Sequence, residues 1–202
     1  PAADNRSTIE YLLTKGSQQV TSVYPLGALS KKLKGESLAE ILDLRESGAV
    51  AFTDGIIPVM NAELLLKALQ YVQKFKGLVI SRPRDLSLSR AGQMHEGLVS
   101  TGLGLVGMSS LSEKVIIERD LSILAYTGGR LHIHGISTFE SVALIAKAKK
   151  SGLAVTCDVI LHQLCYSDDH LISFDTYYKV DPPLRTTKDI QALKLGLANG
   201  TI

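Results

Sequence analysis

The sequence is short of cysteine, of net charge and of long apolar runs, and each shortage narrows the class of protein. Only two cysteines occur among its 202 residues, Cys157 and Cys165, and neither belongs to a CxxC pair, so we expect two reduced thiols. The formal net charge is +2, with basic and acidic residues interspersed, which gives no electrostatic case for nucleic acid or an anionic membrane as a partner. No apolar stretch approaches the roughly 20 residues that span a bilayer.

A leader sequence, an internal repeat and a low-complexity linker are also missing. The first residues, PAADNRST, contain neither a basic nor an apolar region, so no signal peptide is expected and a cytoplasmic location is predicted. Without a repeat or a linker there is no boundary at which a second domain would start. With 45% hydrophobic and 21% charged residues, the chain is predicted to be a soluble globular protein with one domain over residues 1–202.

What the sequence does contain is an alternation of strand-like and helical segments. Runs rich in Val, Ile and Thr predict strands at residues 19–23, 49–53, 78–81, 131–136 and 154–161. Helical patterns lie at residues 38–48, 61–75 and 137–152. Gly48 is predicted to end the first helix, Asn61 to cap the second, and Ser137 or Thr138 with Glu140 to open the third, close to a capping box. This alternation implies parallel strands joined by right-handed crossovers.

An open doubly wound sheet and a closed barrel both fit such an alternation, and periodicity alone does not choose between them. A Rossmann-type sheet needs a glycine-rich turn after its first strand. The nearest candidate, TGLGLVG at residues 101–107, follows no predicted strand. We interpret that segment as a packed surface loop.

Longer motifs decide between the two folds. KVDPPLRT lies within residues 177–202, and further motifs cover residues 25–55 (PLGALSKK to FTDG), 92–107 (GQMHEGLVSTGLGLVG), 112–138 (SEKVIIERD to HIHGIST) and 154–164 (AVTCDVILHQL). Together they resemble dihydroorotases of the bacterial multifunctional-complex type over nearly the whole chain. The resemblance implies an α/β fold, namely a TIM-type (β/α) barrel of the metal-dependent amidohydrolase kind, of which this chain is the middle segment.

The same resemblance implies where the family's binuclear metal site would lie, at the C-terminal ends of the barrel strands. In such a site imidazoles and carboxylates hold divalent ions that lower the pKa of a bridging water. The family's first-strand His-x-His pair would fall before Pro1, and its Asp-His-Ala-Pro segment after Ile202. Three further ligand positions fall within this chain.

Each of those three positions holds a different residue here. Gly55 stands where the family has a bridging Asp, Gly135 replaces a His of the sixth strand, and Arg82 replaces the His of a His-Ala-Glu-Asp pattern that reads Arg-Pro-Arg-Asp in this chain. Asp54 is the candidate surviving ligand, because the register of the two family aspartates is ambiguous. We therefore predict no catalytic residue, no metal and no cofactor in this segment, although the family uses zinc.

The histidines near these positions are predicted to be packed or surface residues. His134 adjoins Gly135, but successive strand side chains face opposite sides, so His134 and His132 would point away from the barrel mouth. His162 matches a family histidine that is not a metal ligand and is predicted to be structural. His95 matches a variable position and is predicted to be solvated.

Two charged residues change the site further. If Arg82 pointed into it, the guanidinium would repel a divalent ion by about 8 kcal/mol at about 4 Å and an effective dielectric constant near 20. Arg82 could instead pair with Asp54 or Asp158. Where the family's Asn binds the dihydroorotate ring, this chain has Asp181, which only accepts hydrogen bonds and would repel an anionic substrate. Asp181 is therefore predicted to be structural.

These substitutions predict a non-catalytic dihydroorotase homologue of pyrimidine biosynthesis that serves as a scaffold or assembly partner. Two alternatives stay open: an active zinc-dependent dihydroorotase that interconverts carbamoyl aspartate and dihydroorotate, and an amidohydrolase of another cyclic amide. The expected partners are a second copy of the chain and, from the resemblance, aspartate transcarbamoylase. The apolar residues 103–108 are a candidate contact surface, unless they pack against the chain's own helix at residues 113–126.

Overall fold

The computed structural model describes residues 2–89 and 92–202, which divide into two compact units. The first unit comprises residues 2–82 and 122–132, and the second comprises residues 83–121 and 133–202. The α-helices are α1 (Arg6–Gly16), α2 (Ile41–Glu46), α3 (Ala62–Val72), α4 (Leu86–Ser89), α5 (Leu98–Leu103), α6 (Leu111–Thr127), α7 (Phe139–Lys150), α8 (His162–Cys165) and α9 (Thr187–Ala198). The strands are β1 (Leu26–Gly27), β2 (Ala51–Phe52), β3 (Val79–Ser81), β4 (Met94–His95), β5 (Gly107–Met108), β6 (Leu131–Ile133) and β7 (Val155–Cys157).

The first unit is built on short parallel strands in the order β1, β2, β3, with β6 next to β3. Leu26 pairs with Ala51, and Phe52 pairs with both Gly27 and Val79. The helices cover this sheet with apolar side chains, and the buried core includes Ile9, Leu29, Leu44, Phe52, Leu65 and Leu69. Because the strands are parallel, their carboxyl ends lie at one edge of the sheet, where the residues after β2 and β3 are found.

In the second unit, β7 lies beside the end of β6. The amide of Asp158 donates to the carbonyl of Ile133 at 3.2 Å, and the amide of Ile136 donates to the carbonyl of Asp158 at 3.1 Å. Strands β4 and β5 form a separate parallel pair. Helix α9 packs against α7 and α8. The loop after β6 is therefore held by β7, and the segment around β4 has a sheet of its own.

The predicted strand at residues 19–23 is wrong. These residues form bends after α1, the side chain of Val20 is fully exposed, and the first strand is β1 at Leu26–Gly27. The run contains two valines among polar residues, and neither valine has a core to pack against. Strand β1 has only two residues, a length at which no alternating pattern can be recognised in a sequence.

The remaining predicted strands and helices are confirmed, with shorter bounds. Strands β2, β3, β6 and β7 lie within the predicted ranges. Asn61 caps α3 by accepting a hydrogen bond from the amide of Leu64 at 3.2 Å, and Gly48 follows the last turn of α2. Thr138 caps α7 by accepting from the amide of Ser141 at 3.3 Å. Glu140 takes no part in that cap, so the proposed capping box does not form.

The apolar residues 103–108 pack partly against their own chain. Leu103 and Leu105 contact a cluster of the buried residues Met94, Leu171 and Leu184. These two leucines therefore pack within the chain, on this cluster, while the predicted packing against the helix at residues 113–126 remains a prediction. Val106 is 53% exposed and remains available to a partner.

Both cysteines are free thiols, as predicted. Cys157 is buried, which raises the pKa of its thiol to about 11, whereas Cys165 is exposed. No helix in the described residues is both long and apolar enough to cross a bilayer.

Candidate functional site

Asp54 follows β2 directly, and its carboxylate is fully engaged in holding the backbone. It is 3% exposed. Its Oδ1 accepts hydrogen bonds from the amides of Leu29 and Ser30, both at 2.9 Å, and its Oδ2 accepts from the hydroxyl of Ser30 at 2.5 Å. Asp54 thus pairs with the loop after β1 and not with Arg82. These hydrogen bonds indicate that Asp54 holds the conformation of that loop. The role of Asp54 as a metal ligand remains a prediction.

The two glycines at family ligand positions share a backbone conformation. Gly55 has φ +70° and Gly135 has φ +74°, both in the left-handed region. Residues with a Cβ atom enter this region rarely, at a cost of roughly 1–2 kcal/mol. At both positions, which the resemblance assigns to metal ligands, the residue has no donor atom and its backbone conformation suits glycine.

Arg82 lies one residue beyond β3 and is 7% exposed. A guanidinium that is buried this completely requires hydrogen-bonding partners inside the protein. The assignment of Arg82 to the position of a metal-ligating histidine in the family remains a prediction from the resemblance.

Asp158 holds the loop that contains Gly135. Its Oδ1 accepts from the amide of Gly135 at 2.6 Å, and its Oδ2 lies 2.8 Å from Nδ1 of His134. The imidazole of His134 and the carboxylate of Asp158 are thus paired beside Gly135.

Asp181, at the family's substrate position, forms an ion pair. Nη1 of Arg84 lies 3.2 Å from Oδ2 of Asp181, and Nε of Arg84 donates to the hydroxyl of Ser89 at 2.9 Å. The acidic residue that the resemblance assigns to the substrate position is thus paired with a basic residue.

The prediction that His95 is solvated is wrong. Its Nδ1 accepts a hydrogen bond from Nη1 of Arg185 at 3.1 Å, and the ring is partly buried. Burial, followed by the nearby charge of Arg185, lowers the pKa of His95 below its ordinary value, which keeps the ring neutral. Sequence analysis missed this contact because the two residues lie 90 positions apart.

A buried polar network, which no local sequence pattern predicts, lies at the start of α7. The carboxylate of Glu113, in α6, accepts hydrogen bonds from the amides of Ser137 and Thr138. Arg185 donates to the hydroxyl of Ser137 and to the carbonyl of Met108, with its Nη2 3.9 Å from Oε2 of Glu113. Burial lowers the pKa of Arg185, while Glu113 opposes that shift. The network links α6 to the start of α7 and to the segment before α9.

Comparisons with known proteins agree on one family. A family model described as dihydro-orotase-like matches residues 1–141. The chain is 46% identical to a dihydroorotase from Pelotomaculum thermopropionicum and 44% identical to one from Desulfotalea psychrophila. Each alignment covers all of this chain but 47% and 48% of the relative, respectively. The chain therefore spans about half the length of the curated relatives it matches.

Solved structures agree on the fold. An L-hydantoinase (dihydropyrimidinase) from Arthrobacter aurescens matches with a TM-score of 0.82 and 20% identity, covering 100% of this chain and 46% of that one. A dihydroorotase from Campylobacter jejuni matches with a TM-score of 0.64 and 13% identity, covering 98% of this chain and 54% of that one. The predicted fold, a segment of a TIM-type (β/α) barrel of the amidohydrolase kind, is confirmed, as is the resemblance on which it was based.

Proposed function

We propose that this chain, which belongs to the dihydro-orotase-like family, is part of a cytoplasmic dihydroorotase homologue of pyrimidine biosynthesis that lacks catalytic activity and serves as a scaffold. Because the chain spans about half the length of its curated relatives, the activity and the partners of the whole protein are both part of this proposal.

The observation that carries the proposal is the left-handed backbone at Gly55 and Gly135. Neither residue offers a ligand atom, and a side chain at either position would strain the backbone. Buried Arg82 stands at the third position, and a guanidinium only donates hydrogen bonds, so it offers no ligand atom either. These three residues do not fit the family's zinc site, because none of them provides an atom that could bind the metal.

We expect the purified full-length protein to hydrolyse dihydroorotate, and to cyclise carbamoyl aspartate, no faster than a blank without enzyme, with or without added zinc. The dihydroorotase of Pelotomaculum thermopropionicum, measured under the same conditions, is the positive control. Metal analysis of the same preparation is expected to find fewer than two zinc ions per chain. Turnover that rises with zinc would overturn the proposal in favour of an active zinc-dependent dihydroorotase.

The scaffold role predicts association that depends on exposed residues. Val106→Glu is expected to weaken self-association, or binding to aspartate transcarbamoylase, without a change in stability, because this side chain is 53% exposed. Leu105→Glu is the matched comparison, and it is expected to lower the free energy of unfolding because Leu105 packs on the Met94 cluster. Sedimentation velocity and circular dichroism separate the two effects. An unchanged assembly in the Val106 variant would exclude this segment as the interface.

A further inference from the structure

A cavity of about 290 Å³ opens in the second unit beside the 3₁₀ turn Thr176–Tyr178. Three tyrosines, Tyr166, Tyr177 and Tyr178, contribute to its lining. The apolar side chains of Val180 and Leu184 line it as well. The proposed function makes no use of this cavity, and its composition suggests a ligand of its own.

Two of the three tyrosine rings are held in place without a ligand. The ring centroids of Tyr166 and Tyr178 lie 5.3 Å apart, and each lies 5.2 Å from the ring of His170. Contacts at these separations and inclinations are favourable between aromatic rings. The triangle therefore fixes the two tyrosine faces in advance, which reduces the entropy that a ligand would lose on ordering them.

A carboxylate and an imidazole also line the cavity. Oδ1 of Asp175 accepts from the amide of Tyr177 at 3.0 Å, which is the one hydrogen bond of this carboxylate among the described residues, so Oδ2 is available. His162 also lines the cavity, and its buried Nε2 has no hydrogen-bond partner. Burial lowers the pKa of His162, so its ring is neutral at pH 7 and carries no charge that would repel a cation.

No lysine or arginine among the described residues lines this cavity. Lys179 follows Tyr178 in the chain, but it lines two other cavities. The fixed charge of the lining is therefore the single negative charge of Asp175. A carboxylate combined with electron-rich ring faces attracts a cation, and the apolar residues favour a cation that carries methyl or methylene groups.

We propose that this cavity binds a small organic cation of the alkylammonium or quaternary ammonium class. The rings of Tyr166 and Tyr178 contact the cationic methyl groups, Asp175 supplies the opposite charge, and Val180 and Leu184 contact the alkyl part. An anion would be repelled by Asp175, and a neutral molecule of the same shape would gain neither the ring attraction nor the charge attraction.

The test compares choline with 3,3-dimethyl-1-butanol, which has the same shape without the charge. Titration of the protein, followed by the NMR signals of the tyrosine rings, is expected to show saturable choline binding and at least about tenfold weaker binding of the alcohol. Equal binding of the two probes would overturn the proposal, since it would mean that the cavity recognises shape or apolar surface alone. No shift of the ring signals with choline would overturn it too.

Substitutions of the lining residues test whether choline binds in this cavity. Asp175→Asn removes the charge and keeps a residue that caps the 3₁₀ turn, and it is expected to weaken choline binding about fivefold to tenfold. Tyr178→Leu removes one ring face and is expected to weaken it about tenfold, while Tyr178→Phe keeps the face and stays within about twofold. Unchanged binding in Asp175→Asn would contradict the proposal. None of these readouts involves hydrolysis, so the result is independent of the proposed function.

Discussion

Glu113→Ala is expected to lower the free energy of unfolding by about 3–5 kcal/mol, because it leaves a buried charge and several buried donors without their acceptor. Glu113 is 2% exposed. Its carboxylate accepts from the amides of Ser137 and Thr138 at 2.8 and 3.2 Å, and from the hydroxyls of Ser137, Thr138 and Ser141. These amides precede the first turn of α7 and have no acceptor within that helix.

Arg185 makes the loss larger. Arg185 is 2% exposed, and its Nη2 forms an ion pair with Oε2 of Glu113 at 3.9 Å. Without that carboxylate the buried guanidinium keeps the hydroxyl of Ser137, the carbonyl of Met108 and the ring of His95, none of which carries a negative charge. Removing one member of a buried ionic pair is more destabilising than removing both.

Urea denaturation followed by circular dichroism measures the effect. The matched control is Glu118→Ala in the same helix, where the side chain is exposed and the expected loss is below about 1 kcal/mol. Glu113→Gln keeps one acceptor oxygen and is expected to fall between the two. A loss below about 1 kcal/mol for Glu113→Ala would mean that solvent or the neighbouring hydroxyls replace the carboxylate, and that the network does not hold α7.

The start of α7 shows what a local sequence pattern can and cannot predict. Ser137, Thr138 and Glu140 correctly predicted where the helix begins, because residues with short polar side chains favour that position. The pattern named the wrong carboxylate, since Glu113 and not Glu140 accepts from the first amides. The two partners lie 24 positions apart, so no local spacing could have linked them.

Local sequence patterns likewise predicted some of the strands and missed others. β2, β3, β6 and β7 were predictable because buried parallel strands are rich in Val, Ile and other apolar residues. β4 and β5 have two residues each and pair with each other across a loop and α5, so neither carries a pattern. β2 is equally short, but it lies within the predicted apolar run at residues 49–53, which made it predictable.

At the candidate site, the ion pair of Arg84 and Asp181 is a contact that residue-by-residue reasoning did not predict. Nη1 of Arg84 lies 3.2 Å from Oδ2 of Asp181. The two residues lie 97 positions apart, so no local pattern could have linked them.

Substitution of Asp54 is expected to cause the second large loss of stability. The same substitution distinguishes a structural role of this carboxylate from a metal-binding role. Two backbone amides and one hydroxyl donate to its buried carboxylate. The hydroxyl of Ser30 in turn accepts from the amide of Gly35 at 2.8 Å, so the loop after β1 depends on Asp54 at both ends. Buried donors that lose a charged acceptor each cost about 1–3 kcal/mol.

Asp54→Ala is therefore expected to lower the free energy of unfolding by about 2–4 kcal/mol, and Asp54→Asn by about 1 kcal/mol, since an amide oxygen can still accept from the backbone. Asp43→Ala is the matched control, because its exposed ion pair with Arg6 contributes less than about 1 kcal/mol.

Chemical denaturation of the Asp54 variants is measured with a chelator and again with added zinc. If Asp54 shapes the loop, the loss is the same in both conditions, because its acceptors are used by Leu29 and Ser30 whether or not a metal is present. A loss that appears with zinc alone would identify Asp54 as a surviving ligand, and the scaffold proposal would then have to accommodate a bound ion.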